Sequence, residues 1–372
     1  MSEILRWLFD LARYFARTLD APLLIALGAL MGIGLAVLYS AGGEAQGTHL
    51  MLAQGARFAA GLAAMWALSR VSATRLRAWT PGVFLASLLP LVLVLFIGTG
   101  KHGQHWIDLK LFYLQPSELL KISLPMMLAW YLHREPLPPR LHTVLAAGVL
   151  IGVPTLLILL QPDFGTAMLV AASGVFALLL AGLPWWWVGV AVGSVAAAAP
   201  VAWLWFLRPY QKDRILTFLN PENDPLGTGW NIIQSKISIG GGGLTGKGWG
   251  QGTQSHLDFL PEHTTDFIFA VLSEEFGWIG VAVVLALYLF VIGRCLWIAI
   301  DARDTYSRLL AGSLGLAFFV YVIVNGGMIS GLLPVVGVPM PLLSYGGTSA
   351  VSLLAGLGLV MAIKAHRPVH GY

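Results

Sequence analysis

Acidic side chains concentrate in one stretch of the chain, residues 252–275. The whole chain of 372 residues has only 18 Asp and Glu, and this stretch holds five of them with two histidines: Asp258, Glu262, Asp266, Glu274, Glu275, His256 and His263. A positioned carboxylate can take a proton from an attacking hydroxyl, or it can bind a divalent cation. The stretch joins a polar loop to an apolar run, so we expect its carboxylates to line a cavity or to find partners.

Asp266 lies where the polar loop ends and the apolar run begins. Proline and two threonines precede it, a pattern that predicts a helix with Thr264 or Thr265 as N-cap and Asp266 in the first turn. A carboxylate there can also merely complement the helix dipole. Its place at the end of a long loop, with Glu262 one turn before it, favours a chemical role.

A second group of charges lies in Gln115-Pro-Ser-Glu-Leu-Leu-Lys121. Pro116 suits the first position of a helix, and Glu118 and Lys121 have the i,i+3 spacing of an ion pair. Such a pair can be purely structural. It can also face the same polar cavity as Asp266, because both groups fall at the same end of their spans.

Three cations near the long loop are candidate partners for phosphate. Arg208 and Arg214 open the loop and could hold a phosphate or an anionic lipid surface. Lys247 ends a G-x-x-x-x-G-K spacing within the glycine run 240–252, but Gly248 replaces the Ser or Thr of a nucleotide-binding loop and no strand precedes it. The run could approach an anionic headgroup through its backbone, or it could be a flexible hinge.

The rest of the chain has the composition of a membrane scaffold. Hydrophobic residues make up 57%, charged residues 11%, and the mean hydropathy is +0.76. These values predict an all-α polytopic membrane protein. Apolar runs predict ten transmembrane helices at residues 21–40, 50–68, 81–99, 116–132, 143–160, 166–183, 185–206, 266–293, 308–330 and 345–363.

The distribution of Lys and Arg predicts the orientation. Most of them fall on the side of the two termini, which the positive-inside rule places in the cytoplasm. Residues 1–20 then form a cytoplasmic interfacial segment, and the loop at 207–265 between helices 7 and 8 is extracytoplasmic. Trp230, Ile233 and Ile237 predict a short amphipathic helix within that loop. The net charge of +4 arises mostly from these loop arginines and does not indicate nucleic-acid binding.

Several motifs together resemble one family. They are Gln115–Lys121, Gln161-Pro-Asp-Phe-Gly-Thr166, Gly246-Lys-Gly248, Phe259-Leu-Pro-Glu262, Thr265-Asp-Phe-Ile-Phe-Ala270, Glu274-Glu275 and Pro341-Leu-Leu-Ser-Tyr-Gly-Gly347. Their identity and order are similar to those of the SEDS proteins (shape, elongation, division and sporulation). Gly-Thr-Gln before Leu257-Asp-Phe-Leu-Pro looks more like the elongation members than the division members.

The resemblance implies a peptidoglycan glycosyltransferase in a single transmembrane domain, residues 1–372. It would polymerise lipid II on the outer face of the bacterial inner (cytoplasmic) membrane during cell elongation and rod-shape maintenance. The implied partners are a class B penicillin-binding protein that supplies transpeptidation and other membrane proteins of the elongation complex. Two alternatives stay open, a lipid II flippase and a noncatalytic scaffold for a penicillin-binding protein.

The family's essential aspartate falls on Asp266, our candidate base, and its Pro-Glu falls on Pro261 and Glu262. Its helix-start Glu and Lys fall on Glu118 and Lys121. Many members have a histidine immediately before Thr-Asp, where this chain has Thr264. Lys121, Arg208 and Arg214 are the candidate cations for the departing pyrophosphate, and Asp266 with Glu262 could hold Mg²⁺ or Mn²⁺.

Overall fold

The computed structural model describes most of the chain. It covers residues 18–99, 105–108, 110, 113–207, 209–223, 228–253, 260 and 262–366, and within these ranges it describes all side chains except those of residues 44, 206, 210, 214, 223 and 228. Most of the predicted interfacial segment, residues 1–17, lies outside these ranges.

The described chain is almost entirely helical. In chain order the helices and strands are α1 Ala21–Ala41, α2 Gly43–Ser69, α3 Ala73–Ile97, β1 Ile107–Asp108, β2 Tyr113–Leu114, α4 Pro116–Leu132, α5 Leu141–Leu160, α6 Phe164–Leu180, α7 Trp185–Val201, α8 Pro209–Leu219, α9 Thr228–Gly241, α10 Ile268–Asp301, α11 Thr305–Ile329 and α12 Thr348–Ala365. A π-helical turn, Ala202–Phe206, extends α7, and β1 pairs antiparallel with β2. Each of the ten predicted spans falls on one of these helices.

Seven helices in the described part of the chain are long and apolar enough to cross a membrane. Helix α11 lies at the centre, in contact with α4, α6, α10 and α12. In contrast, α7 has no buried residue and stands apart from the body. The cavity between α7 and helices α5 and α6 measures about 720 Å³ and is almost wholly apolar. The fold is therefore that of a polytopic membrane protein with one loosely packed helix.

One buried ion cluster lies at the end of the bundle that the sequence predicts to be cytoplasmic. Asp20 caps α1 by accepting a hydrogen bond from the Leu23 N–H at 2.9 Å, and Arg294 of α10 donates to the same carboxylate at 2.8 Å. Lys364 of α12 also donates to it. Burial raises the pKa of Asp20, but the bonds from Arg294, Lys364 and Leu23 outweigh it and lower the pKa from 3.8 to about 2. The cluster joins three helices that are distant in sequence.

Helix α10 is broken at Gly277, whose backbone has φ 61° and ψ −162°. The first part, residues 268–276, is almost wholly buried, and the second part continues to Asp301. This break places a short internal helix directly after Asp266. Discontinuous helices of this kind are tolerated at membrane depth where protein surrounds them.

The glycine run closes this break as a structure that we call the glycine clasp, residues 242–253. The N–H groups of Lys247 and Gly248 donate to the carbonyls of Glu274 and Glu275 at 2.9 and 3.0 Å, capping the first part of α10. In return, the carbonyls of Gly243 and Leu244 accept bonds from the first N–H groups of the second part, at 2.9 and 3.1 Å. The run is thus a reciprocal helix cap, neither a nucleotide loop nor a free hinge.

The predicted amphipathic helix is present as α9, but it presents a different face. Ile232, Ser235 and Ser238 are buried, whereas Ile237 is 47% exposed. Ser235 donates to the carbonyl of Ile329 at 2.8 Å, so it satisfies a free carbonyl at the end of α11. This polar contact, which local periodicity does not encode, lies on the buried face of the helix.

Between α11 and α12 runs an irregular segment that we call the buried loop, residues 331–347. Its middle is inserted among the helices, where the Tyr288 hydroxyl donates to the Pro341 carbonyl at 2.6 Å. A side chain at Gly34 would meet the Leu342 carbonyl at 2.4 Å, so only glycine lets the loop approach α1. Leu342 itself has a left-handed φ of 59° although it is buried. Strain of this kind is retained where the surroundings impose it, often at functional sites.

Candidate functional site

Asp266 lies in a turn, residues 262–267, and not in the first turn of α10. The helix begins at Ile268, and its N-cap position, Phe267, provides no side-chain cap. The predicted cap by Thr264 or Thr265 is therefore wrong. Thr265 instead donates its hydroxyl to the Glu262 carboxylate at 2.7 Å, and Glu262 has a left-handed φ of 58°. Asp266 therefore lies before the helix and outside it.

Asn325 holds the backbone of Asp266 from the buried side. The Asn325 side-chain N–H₂ group donates to the Asp266 carbonyl at 2.9 Å and to the Val338 carbonyl at 2.6 Å. Asn325 is fully buried in α11. One amide therefore joins the Asp266 turn to the buried loop.

The buried loop makes a second contact with the turn. The N–H of Tyr345 donates to the Thr264 carbonyl at 2.9 Å. Tyr345 is held in turn by Arg57, which donates to the tyrosine hydroxyl at 2.9 Å and lies 4.2 Å from the ring centroid. Gln54 bonds the loop on either side of Tyr345, at the Ser344 carbonyl and the Gly346 N–H. Arg57 thus supports the buried loop where it contacts the Asp266 turn.

Gly337 brings the buried loop against the Asp266 carboxylate itself. A Cβ placed on Gly337 would lie 3.7 Å from Oδ2 of Asp266, and the residue has a left-handed φ of 72°. The carboxylate therefore faces main chain. Asp266 is only partly buried, so it is also accessible from outside the bundle.

The predicted ion pair at the start of α4 is confirmed. Nζ of Lys121 lies 2.6 Å from Oε1 of Glu118, and the two side chains are 10% and 4% exposed. Ser352 of α12 donates to the other oxygen of Glu118 at 2.6 Å, and the Lys121 ammonium lies 5.0 Å from the Tyr321 ring centroid. Both charges are thus compensated, as buried ions require.

Helix α11 connects this pair to Asp266. Tyr321, beside Lys121, and Asn325, bonded to Asp266, are four residues apart and lie on one face of the helix. On the same side, Gln115 donates to Asp163 at 3.0 Å, and Asp163 caps α6 through the Thr166 N–H at 3.0 Å. The two predicted groups of charges therefore flank one helix face.

Lys247 belongs to the glycine clasp. Its ammonium lies 2.6 Å from Oε1 of the fully buried Glu274 and donates to the Thr253 hydroxyl at 2.8 Å. Glu275 is also buried and accepts a bond from Ser40 of α1. These acidic residues stabilise the broken helix.

The other predicted residues divide into two groups. Arg208, Asp258 and Pro261 lie outside the described residues, as does the side chain of Arg214. Glu262 is exposed beside Asp266 in the turn. Within the described ranges no group of three His, Cys, Asp or Glu could hold a metal ion. Asp266 and Glu262 would supply two protein ligands at most, a number that suits Mg²⁺ when phosphate oxygens and water complete its shell.

Sequence reasoning missed Asn325, Gln54 and Tyr321. A signal was present for the first two, because an amide side chain in an apolar span is costly and usually has a specific partner. For Tyr321 there was none, since an aromatic residue in a span is ordinary. Each of the three reaches the site through a partner far away in the sequence, which is Asp266 for Asn325, Ser344 for Gln54 and Lys121 for Tyr321.

Fold and site together define a polytopic helical membrane protein with a carboxylate turn at one end of the bundle. The family model FTSW_RODA_SPOVE, described as "Cell cycle protein", matches residues 17–368, and the chain belongs to this family. The resemblance seen in the motifs is confirmed.

Individual relatives match over nearly their full length. "Peptidoglycan glycosyltransferase MrdB" of Escherichia coli K12 is 48% identical over 94% of both chains. "Peptidoglycan glycosyltransferase RodA" of Treponema pallidum is 33% identical over 94% of this chain and 98% of its own.

Solved structures are also similar. A chain of a structure described as "Structural coordination of polymerization and crosslinking by a peptidoglycan synthase complex" has a TM-score of 0.83 and 31% identity, over 94% of this chain and 99% of that chain. "Rod shape determining protein RodA" of Thermus thermophilus has a TM-score of 0.72 and 28% identity, over 94% and 98%.

Proposed function

We propose that this chain is a peptidoglycan glycosyltransferase of cell elongation that polymerises lipid II on the outer face of the bacterial inner membrane. In this assignment α1–α7 and α10–α12 cross the membrane as ten spans, both termini are cytoplasmic, and residues 207–265 lie outside. The observation that carries the activity is the 48% identity to a peptidoglycan glycosyltransferase over 94% of both chains.

The geometry suggests the role of Asp266 in that reaction. An acceptor sugar hydroxyl attacks the anomeric carbon of the donor, its proton passes to the Asp266 carboxylate, and the carbon–oxygen bond to pyrophosphate breaks. The electron pair of that bond leaves with the pyrophosphate. A base works best when it is held at hydrogen-bond distance from the hydroxyl. The turn held by Asn325 and Tyr345 supports this role, because it fixes the backbone while Asp266 remains only partly buried.

Cations must compensate the charge of the leaving group. Arg208 and Arg214 are our proposed phosphate ligands, because they belong to the loop segment that opens the outer side. Lys121 is neutralised by Glu118 at 2.6 Å and Lys247 by Glu274 at 2.6 Å, so we assign both to maintenance of the site. Substituting Arg208 or Arg214 by Gln should raise KM for lipid II in a polymerisation assay, and an unchanged KM would exclude the residue.

A divalent cation is a further proposal for Asp266 and Glu262. Such an ion would supply positive charge to the pyrophosphate when bound. Removing divalent ions with a chelator and restoring Mg²⁺ or Mn²⁺ tests this proposal. Polymer formation that is unaffected by the chelator would exclude it.

The polyprenyl chain of the substrate needs an apolar site open to the bilayer. We propose the 720 Å³ cavity between α5, α6 and α7, which is lined by small residues such as Gly148, Gly152 and Ala196. A photoreactive group on the prenyl tail should label these helices. Labelling confined to other helices would exclude the cavity.

The proposed partners are a class B penicillin-binding protein and other membrane proteins of the elongation complex. The similar chain from a peptidoglycan synthase complex supports a partner of this kind. Co-purification of the two membrane proteins from the native host would test it.

The experiment for the function compares lipid II polymerisation by wild type, Asp266→Asn and Asp304→Asn, each reconstituted with the transpeptidase partner. Asp304 caps α11 by a bond from the Ser307 N–H at 3.0 Å, and Asn can keep that contact. We expect Asp266→Asn to lose about 10²- to 10⁴-fold in rate, the usual contribution of a general base, while the control polymerises normally. Moenomycin excludes contaminating polymerases.

Equal product from wild type and Asp266→Asn would remove Asp266 from the chemistry. Complete lack of product from wild type with its partner would contradict the glycosyltransferase. Transfer of lipid II across the bilayer by the same preparation would then support the flippase, and its absence would support the scaffold.

A further inference from the structure

We infer that Asn325 is a positioning residue, which fixes the Asp266 backbone against the buried loop so that the carboxylate has one orientation. This assignment rests on the proposed role of Asp266 as base. Asn325 does not itself contact the substrate in this scheme. It acts on the reaction through the position of the Asp266 turn.

The first observation is the geometry of the amide. Both acceptors of the Asn325 N–H₂ group are main-chain carbonyls, that of Asp266 at 2.9 Å and that of Val338 at 2.6 Å. Reversing the amide would place its oxygen against two carbonyl oxygens, so the acceptors determine its orientation. Two donors on one nitrogen thus join two segments that are 59 and 13 residues away in sequence.

The second observation is that the side-chain oxygen of Asn325 is left unsatisfied by the part of the chain that the structure describes. The side-chain oxygen of Asn325 is buried and has no hydrogen-bond partner among the described residues. A buried unpaired polar atom destabilises a protein, because its interaction with water is lost and nothing replaces it. An apolar residue would avoid this cost at a fully buried position of α11. The retained amide therefore indicates that its two donors are needed at this place.

The third observation is that the turn lacks the usual support at a helix start. No side chain caps α10, because Phe267 holds the N-cap position. The carbonyl of Asp266 is fixed by Asn325, and that of Thr264 by the Tyr345 N–H at 2.9 Å. Both donors come from α11 and the buried loop. Without Asn325 the turn would keep only the Tyr345 bond of these two.

A displacement of about 1 Å in a catalytic group can lower a rate by about 100-fold. We therefore expect loss of the Asn325 donors to lower kcat and to leave the KM for lipid II almost unchanged. If Asn325 served only to fill space, Asn325→Leu would leave kcat nearly unchanged, because leucine has nearly the shape of asparagine.

The experiment uses full-length protein with its transpeptidase partner and compares Asn325→Leu, Asn325→Asp and Thr80→Val. Leucine removes both donors, whereas a buried carboxyl in its protonated form keeps one. Thr80→Val is the matched control. It removes a buried hydroxyl that bonds the Leu76 carbonyl at 2.7 Å and the Tyr306 hydroxyl at 2.9 Å, on α3 and far along the chain from Asp266.

We expect kcat to fall about 10- to 100-fold in Asn325→Leu, less in Asn325→Asp, and little in Thr80→Val. A kcat for Asn325→Leu equal to that of Thr80→Val would overturn the inference while the proposed function stands. An equal loss in the leucine and aspartate variants would also overturn it, because the donor that a protonated aspartate keeps would then make no difference to kcat.

A second measurement does not depend on polymerisation. The amides of Thr265 and Phe267 donate to the Glu262 carbonyl at 3.1 and 3.2 Å within the turn. Hydrogen exchange at these amides should be faster in Asn325→Leu than in wild type or Thr80→Val. Unchanged exchange would overturn the positioning role, even if the wild-type protein makes no polymer and the proposed function fails.

Discussion

Hydrogen bonds to the main chain hold the Asp266 turn in place. Several residues of the turn and of the buried loop have unusual backbone conformations. Glu262 at the start of the turn has φ 58°, Leu342 in the buried loop has φ 59°, and Gly337 beside the carboxylate has φ 72°. Left-handed backbone is costly for non-glycine residues. At this site the turn and the buried loop therefore fit each other at the expense of local strain, as functional sites often do.

Gly337→Ala tests whether this fit serves the carboxylate. The new methyl would lie at ordinary contact distance from Oδ2 of Asp266, 3.7 Å, so the main effect is backbone strain of about 1–2 kcal/mol. We expect the loop to relax and polymerisation to fall about 10-fold or more. Initial rates and thermal unfolding in detergent are the measurements.

Gly243→Ala is the matched control for that substitution. Gly243 has φ 54° in the glycine clasp, and nothing lies within 4 Å of its added methyl. It should lower the unfolding temperature as much as Gly337→Ala and leave the rate close to wild type. A similar loss of activity in both variants would show that strain anywhere in the fold is harmful and would contradict a local role for Gly337.

At the scale of elements, the glycine clasp and the break in α10 depend on each other. The clasp supplies two donors to the first part of the helix and two acceptors to the second, so two backbone groups at each end gain partners. Close approach requires glycine, because a side chain on Gly246 would meet the Glu275 carbonyl at 2.0 Å and the residue has φ 81°. The ion pair of Lys247 with Glu274 joins the clasp to the first part of α10 through side chains as well.

Gly246→Ala should therefore open the clasp and strongly destabilise the protein. We expect a loss above about 3 kcal/mol, since overpacking and backbone strain act together. Gly240→Ala is the control, because Gly240 lies in α9 with nothing within 4 Å and alanine there should stabilise the helix by about 0.5–1 kcal/mol. Thermal unfolding of both variants checks the difference. Equal stability would mean that the clasp is dispensable.

Elements whose signals are local were predictable from the sequence. The helix start at Pro116 and the Glu118–Lys121 pair need only residues within one turn of each other, and both are confirmed. The cap of α10 by a threonine was predicted with the same local rules and is wrong. There the turn before the helix is held by Asn325, 59 residues away in the sequence, which donates a hydrogen bond to the Asp266 carbonyl.

The candidate site shows the same division. Asp266 and Glu262 could be singled out by residue type, but the residues that orient the turn could not, because their contacts are made only when α2, α11 and the buried loop pack together. Likewise, the sequence suggested that the glycine run binds an anionic headgroup or forms a flexible hinge. Neither interpretation predicts its hydrogen bonds with the carbonyls of Glu274 and Glu275. Composition and spacing thus indicate which residues can react, while tertiary contacts decide how they are held.

At the scale of the whole molecule, two polar centres join distant helices. At the end of the bundle that holds Asp266, α11 carries Tyr321 and Asn325 to the two groups of charges. At the other end, Asp20 joins α1 to α10 through Arg294 and to α12 through Lys364. Asp266 is only partly buried, whereas Asp20 is only 1% exposed and fully compensated. We therefore expect the Asp266 centre to affect activity and the Asp20 cluster to affect stability.

The Asp20 cluster gives a prediction for pH. The pKa of Asp20 falls from 3.8 to about 2 on folding, so its contribution is present above about pH 4 and is lost as the pH falls toward 2. This shift corresponds to about 2 kcal/mol. At neutral pH, Asp20→Asn should lower the free energy of unfolding by about that amount, because Arg294 and Lys364 lose their common partner. Polymerisation at temperatures well below unfolding should be normal.

The pH dependence of the unfolding temperature distinguishes the contribution of the Asp20 ion cluster from that of Asp20 as a helix cap. Asparagine can still cap α1 through the Leu23 N–H, so the variant loses mainly the charge. The difference in unfolding temperature between wild type and Asp20→Asn should be constant from pH 7 to about pH 5 and should narrow below pH 4, as the wild-type carboxylate takes up a proton. A difference that persists unchanged to pH 3 would contradict the lowered pKa. In that case the effect of the substitution on stability would arise from packing and not from the ion cluster.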